Sequence, residues 1–512
     1  MRQQPPTFID LFCGAGGFSL GFRAAGAHAL AAVDIDEVAA RTYRRNFAKL
    51  QPRMPPRVLS GDLGNLEEID LESINEERTP DILIGGPPCQ GFSRIGRGKL
   101  ASLSGSHAAQ DPRNTLYLAF MEAAERWRPR AIVIENVPGM LSVDASSSTR
   151  PEEDLSFAEK AASDLVARGY RAGFAVLNAA LYGVPQFRER IFFVGVRRDL
   201  DVRPSLPPTS HVVSAPPGYV VPTGELFLPF DDIHHDLSID TTLAALPPTT
   251  VREAIGDLPA IRDHLAPGGA ARPVFRTRRR YEGSPASAFA QLMRAWPKLR
   301  APTIMDDHSV RRTPRDYEIF RRMRPGDRYV EARGHARDIF REYLDMARGR
   351  IALQPGSAAF EARRYARDHL DRRFRELAQR GEIPAADTAA YQALMDRFVP
   401  KYPEDIFKDK WRKLMPDQPS WTVPAHLAKD AYSHIHYDDE QARAISVREA
   451  ARLQSFPDGF RFEGNMGDCF RQIGNAVPPV LAWAVAAHLL AALGFRSVQP
   501  PFSQATRPPA LT

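Results

Sequence analysis

Apolar runs that stop abruptly on acidic or glycine residues recur along the first two hundred positions. Thr7 to Phe12 reads as a strand leading into Cys13-Gly14-Ala15-Gly16-Gly17, after which Leu20, Phe22 and Ala25 follow helical spacing. His28 to Val33 predicts a second strand ending in Asp34-Ile35-Asp36. Val38, Tyr43 and Phe47 then predict a helix with Asp36 as its N-cap. A third strand ends at Ser60-Gly61-Asp62-Leu63. A fourth, Asp81 to Gly85, is stopped by Gly86-Pro87-Pro88, because proline has no N–H to give a ladder. Asn114 to Trp127 is amphipathic, with Leu116, Phe120 and Ala124 on one face, and Ala131 to Ile134 is a buried strand ending in Glu135-Asn136-Val137-Pro138-Gly139. Strands alternating with amphipathic helices and ending in polar turns predict an α/β, doubly wound sheet with one cleft beyond the strand ends.

The pattern continues with a helix over 157–168 and a strand over 171–177. After the Tyr182-Gly183-Val184-Pro185 turn, a period of two puts Gln186, Arg188 and Arg190 on one face and Phe187 on the other. Such a polar fork suits a phosphate or a carbonyl oxygen. From Asp199 the composition shifts. Residues 204–229 are proline-rich, and arginines crowd Arg272–Arg280 and Arg311–Arg350, with Tyr281, Tyr317, Phe320 and Tyr329 among them. Such clusters are either a solvated charged face or a surface for nucleic acid, where they would mostly hold phosphates. Residues 333–398 read as largely helical and carry no recognisable motif. Regular structure returns at Ser446, with Glu449 completing a capping box. Gln472 to Pro479 leads into an apolar helix ending at Leu493, and the proline-rich stretch 497–512 predicts disorder.

Composition changes this picture little. The 512 residues are 43% hydrophobic and 25% charged, which is ordinary for a globular protein of two or three domains. No apolar run approaches 18 residues and no signal-type stretch follows Met1, so a cytoplasmic protein without a membrane span is expected. A net charge of +6 permits a polyanionic partner. The cysteines Cys13, Cys89 and Cys469 are too widely spaced for a disulfide framework or a zinc site, and no metal is expected. Cys89, just past a strand end and after two prolines, is placed either as a nucleophile or as a small buried hydrophobe. The Gly14-Ala15-Gly16-Gly17 turn lacks the last glycine of a dinucleotide fingerprint, where Ser19 stands. Its closely set glycines suit a ligand without a pyrophosphate, such as S-adenosylmethionine (SAM). Asp34 stands where a carboxylate accepts hydrogen bonds from a ribose. Glu135 reads as an acid beside the nucleophile or as an exposed turn residue. The loop 91–112 is long enough to close over a site, with Arg94, Arg97 and Lys99 near phosphates.

Taken in order, FIDLFCGAGGFSLGF at 8–22, DILIGGPPCQGFS at 81–93, IENV at 134–137, QFRER at 186–190, VREAARLQSFPD at 447–458 and QIGNAVPP at 472–479 resemble the DNA (cytosine-5) methyltransferase family of bacterial, SAM-dependent type. Each motif alone is modest; the ordered set is specific and covers about half the chain. The resemblance implies a Rossmann-like catalytic domain made of 1–198 and 446–496. A target-recognition domain with a helical insertion would lie at 199–445. It implies Cys89 as nucleophile, Glu135 at cytosine N3 and the exocyclic amine, and Arg188 and Arg190 near the base and phosphate. Phe12, Gly14, Ala15, Gly16, Gly17, Asp34, Ile35, Asp62, Leu63, Pro87, Asn475 and Ala476 match cofactor-side positions, and Gln90, Ser93, Arg94, Asn136 and Gln186 match base- or DNA-side positions. Ile35 stands where many members carry an aromatic ring, and Asp306-Asp307-His308 where many carry Asn-His. The implied cofactor is SAM. The implied partner is double-stranded DNA, bound by a monomer that acts alone or beside a restriction endonuclease encoded nearby. An RNA cytosine-5 methyltransferase and a catalytically silent DNA-binding protein on the same scaffold remain alternatives.

Overall fold

The computed structural model describes residues 4–63, 79–88, 114–142, 156–214, 233–234, 245–265, 275–313, 315–348, 350, 376–377, 380–386, 388–396, 398–400, 410–429 and 432–501. Cys89, Gln90, Ser93, Arg94 and the loop 91–112 lie outside the described residues.

The strands are β1 (Thr7–Leu11), β2 (His28–Asp34), β3 (Arg57–Ser60), β4 (Ile82–Gly85), β5 (Ala131–Asn136), β6 (Tyr170–Asn178), β7 (Gln186–Phe187), β8 (Glu189–Arg197) and β9 (Ile233–His234). All but β7 join one eight-stranded sheet in the order β3-β2-β1-β4-β5-β8-β6-β9. The first five are mutually parallel, and β8 runs antiparallel to both β5 and β6. Strand order reverses between β1 and β4, the point where an open α/β sheet parts and admits a ligand. The period of two sorts the apolar residues onto both faces. Phe8, Ile82, Ile84, Val133 and Phe192 enter one core, while Ile9, Leu11, Leu83, Ile132 and Phe193 enter the other.

Helices α1 (Gly17–Ala25), α2 (Glu37–Leu50), α3 (Asn114–Trp127) and α4 (Phe157–Ala167) cover the sheet. As expected, Asp36 caps α2, accepting from Val38 N at 2.9 Å. The later chain adds α5 (Val251–Ile255), α6 (Ala288–Ala295), α7 (Tyr317–Arg322), α8 (Tyr329–Ala347), α9 (Ala389–Met395), α10 (Val447–Leu453), α11 (Met466–Asn475) and α12 (Pro479–Ala492). The span Met466–Ala492 is apolar enough to cross a membrane, but its most apolar window is 83% buried against the rest of the protein.

The region 199–445 does not pack as one unit. Val251, Ile255, Phe289, Met293 and Trp296 share the core of Phe8 and Phe18. A third, separate core gathers Tyr317, Phe320, Tyr329, Phe340, Phe398 and Trp411. Some arginines of the clusters expected to hold phosphates are engaged within the fold, while Arg278, Arg280, Arg315, Arg324, Arg328, Arg341, Arg348 and Arg350 are exposed. Arg276 donates to Phe462 O at 2.9 Å, Arg279 to Asp263 Oδ1 at 2.7 Å and His308 O at 3.1 Å, and Arg311 to Lys429 O at 2.6 Å. Arg322 pairs with Glu318 at 2.8 Å and Glu342 at 2.7 Å. These guanidiniums satisfy carbonyls and carboxylates of the fold itself.

The return segment is joined to the inserted region through buried charges. The capping box at Ser446 forms, and Glu449 pairs with Arg443 at 2.7 Å. Arg448 binds Asp307, and Arg452 binds Asp458 at 2.6 Å and Asp257 at 2.9 Å. His308, beside Asp307, hydrogen bonds with Ser446 Oγ at 2.7 Å and Pro259 O at 2.8 Å. The 497–512 stretch, expected to be disordered, is anchored at its start. Val498 N donates to Ala25 O at 2.9 Å, and Trp483 Nε1 donates to Val498 O at 2.7 Å.

Candidate active site

A cavity of ≈ 480 Å³ opens at the carboxyl ends of β1, β2, β4 and β5. It is built from what each strand does as it stops. Past β1, Phe12 takes a left-handed backbone with φ of 65°, uncommon for a bulky residue. The turn returns Cys13 N to Val33 O at 3.0 Å. Gly16 has φ of 94°, and a Cβ there would meet Tyr43 at 2.7 Å. It shapes the turn from below, whereas Phe12, Gly14, Ala15 and Gly17 line the cavity. Past β2, the Asp34 carboxylate accepts Gly14 N at 2.7 Å and Asp36 N at 2.8 Å, locking the first two strand ends together. Ile35 beside it is 70% exposed on the rim. Asp62, Leu63, Pro87, Asn475 and Ala476 complete the set of sequence-matched residues on the wall.

At the other end lies an acid–base pair. Glu135, the penultimate residue of β5, meets Arg190 Nε at 2.8 Å, with its side chain only 12% exposed. Burial pushes its carboxyl above the ordinary carboxylate range, although Arg190 and Arg188 pull the other way. Glu135 is thus neither exposed nor in a turn. Gly86 packs tightly beside it: a Cβ there would lie 3.1 Å from Glu135 Oε2. Asn136 donates through Nδ2 to Pro87 O at 2.9 Å and so holds the backbone at Pro87 in place. Pro88 itself lines the cavity.

The polar fork divides. Only Arg190 reaches the cavity. Arg188 is buried and donates to Val423 O at 3.1 Å, Gly474 O at 2.9 Å and Ala476 O at 3.0 Å. Gln186 is buried too, donating to Leu453 O at 2.9 Å and accepting from Val423 N at 3.0 Å. Strand β7 pairs with β12 (Ser420–Trp421), whose register sets this grip; β10 (Arg279–Arg280) and β11 (Ile304–Met305) form a small hairpin-like pair elsewhere. The carbonyl-oxygen reading of the fork therefore describes Arg188, and an ion pair describes Arg190.

A model of C-5 cytosine-specific DNA methylases matches residues 6–245 and 359–491. The chain belongs to that family. As a member it is a DNA (cytosine-5)-methyltransferase. It is 34% identical over 495 residues to the type II methyltransferase M.AgeI of Thalassovita gelatinovora, covering 93% of this chain and 97% of the relative. A protein of Oceanobacillus iheyensis assigned as a type II methyltransferase is 33% identical, covering 94% of each. A prophage-encoded Escherichia coli protein, assigned as a DNA modification methyltransferase, shares the fold with a TM-score of 0.55 and 22% identity, over 96% of this chain and 99% of that one.

Among the wall residues of this methyltransferase without an expected role are Asp10, Arg471 and Gln472. Asp10 lines the cavity, is fully buried, accepts from Ser19 Oγ at 2.5 Å and leaves Oδ1 without a partner. Burial raises its carboxyl to about 8. Arg471 and Gln472 stand on the α11 turn just before Asn475 and Ala476. The signal available was the matched stretch itself: Gln472 opens QIGNAVPP, and Arg471 immediately precedes it.

Proposed function

We propose that this methyltransferase methylates C5 of a cytosine flipped out of duplex DNA, with Cys89 as nucleophile, Glu135 at N3 and SAM as methyl donor. The observation that carries the reading is the Glu135–Arg190 pair on one cavity wall with the Pro87-Pro88 turn that leads into Cys89. The other two thiols support it by being unsuited. Burial pushes Cys13 well above its ordinary value and Cys469 up to about 12, and a nucleophile must be thiolate. The wall also fits SAM. The closely set glycines of the Gly14–Gly17 turn suit a ligand without a pyrophosphate, and Asp34 lines the cavity where a ribose acceptor is expected.

Bound SAM would supply an electrophilic methyl group. The chain's own part is to make the ring attack it. The Cys89 thiolate adds at C6, giving an enamine-like ring that is nucleophilic at C5. Glu135, its carboxyl biased toward the protonated form, hydrogen bonds N3 and stabilises charge developing there, while Arg190 fixes its orientation. Loss of the C5 proton then expels the thiol. A stacked base cannot reach this cavity, so it must be flipped. The region 199–445 would read the target site, with its separate core around Phe320 and Trp411 as a rigid base. The enzyme would work in the cytoplasm as a monomer, as part of a restriction–modification system or alone.

Trapping on duplex DNA containing 5-fluorocytosine tests this. Wild type and Cys13→Ser should form a covalent adduct and Cys89→Ala none; an adduct with Cys89→Ala would overturn the assignment. Glu135→Gln should slow single-turnover methylation by ~10²-fold or more, and an unchanged rate would leave Glu135 a structural partner of Arg190.

A further inference from the structure

The end of the sheet opposite the cavity gathers three cations from three separate segments. Arg23 stands in the last turn of α1, Arg53 in the turn between α2 and β3, and Lys298 in the turn after α6. Arg23 and Lys298 each donate to Leu50 O, at the end of α2, at 3.3 Å. Gln51, next in the chain, exchanges hydrogen bonds with the backbone of Ala29, which fixes this corner beside the start of β2. Helix α2 starts after Asp36 on the cavity wall, and its 14 residues carry the chain about 20 Å away from it. The helix end alone does not account for the cluster. A helix carboxyl end carries about half a negative charge, and three full positive charges meet it. Among the described residues none of the three makes an ion pair, whereas Arg41, Arg44 and Arg45 further up α2 are held by Glu37 and Glu463. Burial, and after it the charges of Arg23 and Arg53, hold the Lys298 ammonium below its ordinary value. Arg23 Nε is buried and has no hydrogen-bond partner within the protein, and buried donors are rarely left so. Lys298 takes a left-handed backbone with φ of 64°, uncommon outside glycine. Its neighbour Trp296 holds it there, packed edge-on against Trp483 with ring centroids 5.1 Å apart and accepting from Leu299 N at 3.0 Å. The fold thus keeps like charges together in a strained turn, and an incoming anion would relieve their repulsion.

We propose that Arg23, Arg53 and Lys298 form an anion site for a backbone phosphate of a second DNA segment, apart from the cavity that treats the target base. Charge complementarity selects the occupant: the polyanion this family acts on is DNA, and fixed cations hold its phosphates without reading sequence. A duplex is stiff over about 150 bp. One seated at the cavity does not turn back within a few base pairs to reach the far end of the sheet. The phosphate therefore comes from a distant stretch of a long molecule or from a second molecule. Arg41, Arg44, Arg45 and Lys49 are exposed at helical spacing along α2 and extend the positive surface from this site toward the cavity. A contact to so few phosphates is weak and salt-sensitive. That suits a transient hold, in which one segment is kept while the other is released.

Sedimentation of the full chain with an excess of a short fluorescent duplex at low salt counts the segments held. Wild type should carry two duplexes, the second leaving first as salt rises. Arg53→Ala combined with Lys298→Ala should weaken the second by about tenfold or more and lower its salt slope by about two. The first duplex, and methyl transfer to it, should stay within about twofold. Both side chains are exposed, so little packing is lost. Arg126→Ala combined with Lys160→Ala removes the same charge from α3 and α4 on the opposite face of the sheet, and should leave the second duplex bound. An equal loss there would reduce the effect to net charge and overturn the site. Calorimetry with inorganic phosphate separates the source of the anion. A chain that binds phosphate through Arg53 and Lys298 yet holds one duplex would make the ligand a small anion and overturn the DNA assignment. A single duplex on wild type, or a second one that the double variant retains, would overturn it as well.

Discussion

At the cavity, Arg190 and Arg471 stand on an open wall, each held by carboxylates yet still facing the space a ligand would fill. In the inserted region and its junction with α10, Arg276, Arg279, Arg311, Arg322, Arg448 and Arg452 face inward onto carbonyls and carboxylates. Both regions look alike in the sequence, as arginines among aromatic residues. The difference is whether unsatisfied backbone oxygens and acids lie within reach of the guanidinium. Where they do, the arginine joins segments of the fold. Of the Arg272–Arg280 cluster, Arg278 and Arg280 are exposed and without an ion pair among the described residues.

The comparison breaks most visibly at Arg452. Arg452→Met would remove the guanidinium that bridges buried Asp257 and Asp458, leaving Asp257 with Arg294 at 2.5 Å and Asp458 with Arg448 at 3.8 Å, and should cost ~2–4 kcal/mol of unfolding free energy in urea. A loss under ~1 kcal/mol would mean the junction is held by packing alone. A smaller effect should appear with acid. Burial lowers His308 and His434 to about 4 and His436 to about 3, so the folded protein favours their neutral forms. Their contribution is whole above the unfolded value of ~6.5 and is lost as pH falls toward 4. Stability should drop between pH 7 and pH 5, and His308→Gln should flatten that drop by ~1–2 kcal/mol. Equal slopes for both proteins would remove His308 from the account. The finest test contrasts neighbours. Arg280→Ala should leave stability within ~0.5 kcal/mol while lowering the salt slope of DNA binding by about one. Arg279→Ala should instead destabilise, having lost Asp263 and His308 O. The reverse pattern would restore the phosphate role to the inward-facing arginine.

What was legible in the sequence follows from how local its cause is. The strands and their acidic or glycine ends come from patterns within ten residues, and β1, β2, β4, β5 and the Asp36 and Ser446 caps fall where those patterns put them. The Glu135 position was legible, but its burial was not, because Arg190 lies on a strand fifty-odd residues on. Arg188 and Gln186 read correctly as polar and on one face; their partners at Val423, Leu453 and Gly474 are separated by more than 200 residues, beyond any local pattern. The sharing of one core by Phe8 and Trp296 was hidden for the same reason. The engagement of Arg276, Arg279, Arg311 and Arg322 within the fold was unreadable because composition reports charge and not the company it keeps.

The anchoring of Val498 has a consequence for how the chain is strung. Val498 N reaches Ala25 O, and His28 N reaches Pro6 O at 2.8 Å, so the first strand's beginning and the last helix's exit emerge at the end of the sheet where β1 and β2 start. Helix α12 meanwhile lies against α1, with Ala482 within 2.5 Å of where a Cβ on Gly21 would sit. The return segment is thus seated beside the first strand although it comes last in the polypeptide. The order of the pieces is a matter of linkage, and the same packing could be reached by a gene that encoded the final helix first and ran straight on into β1.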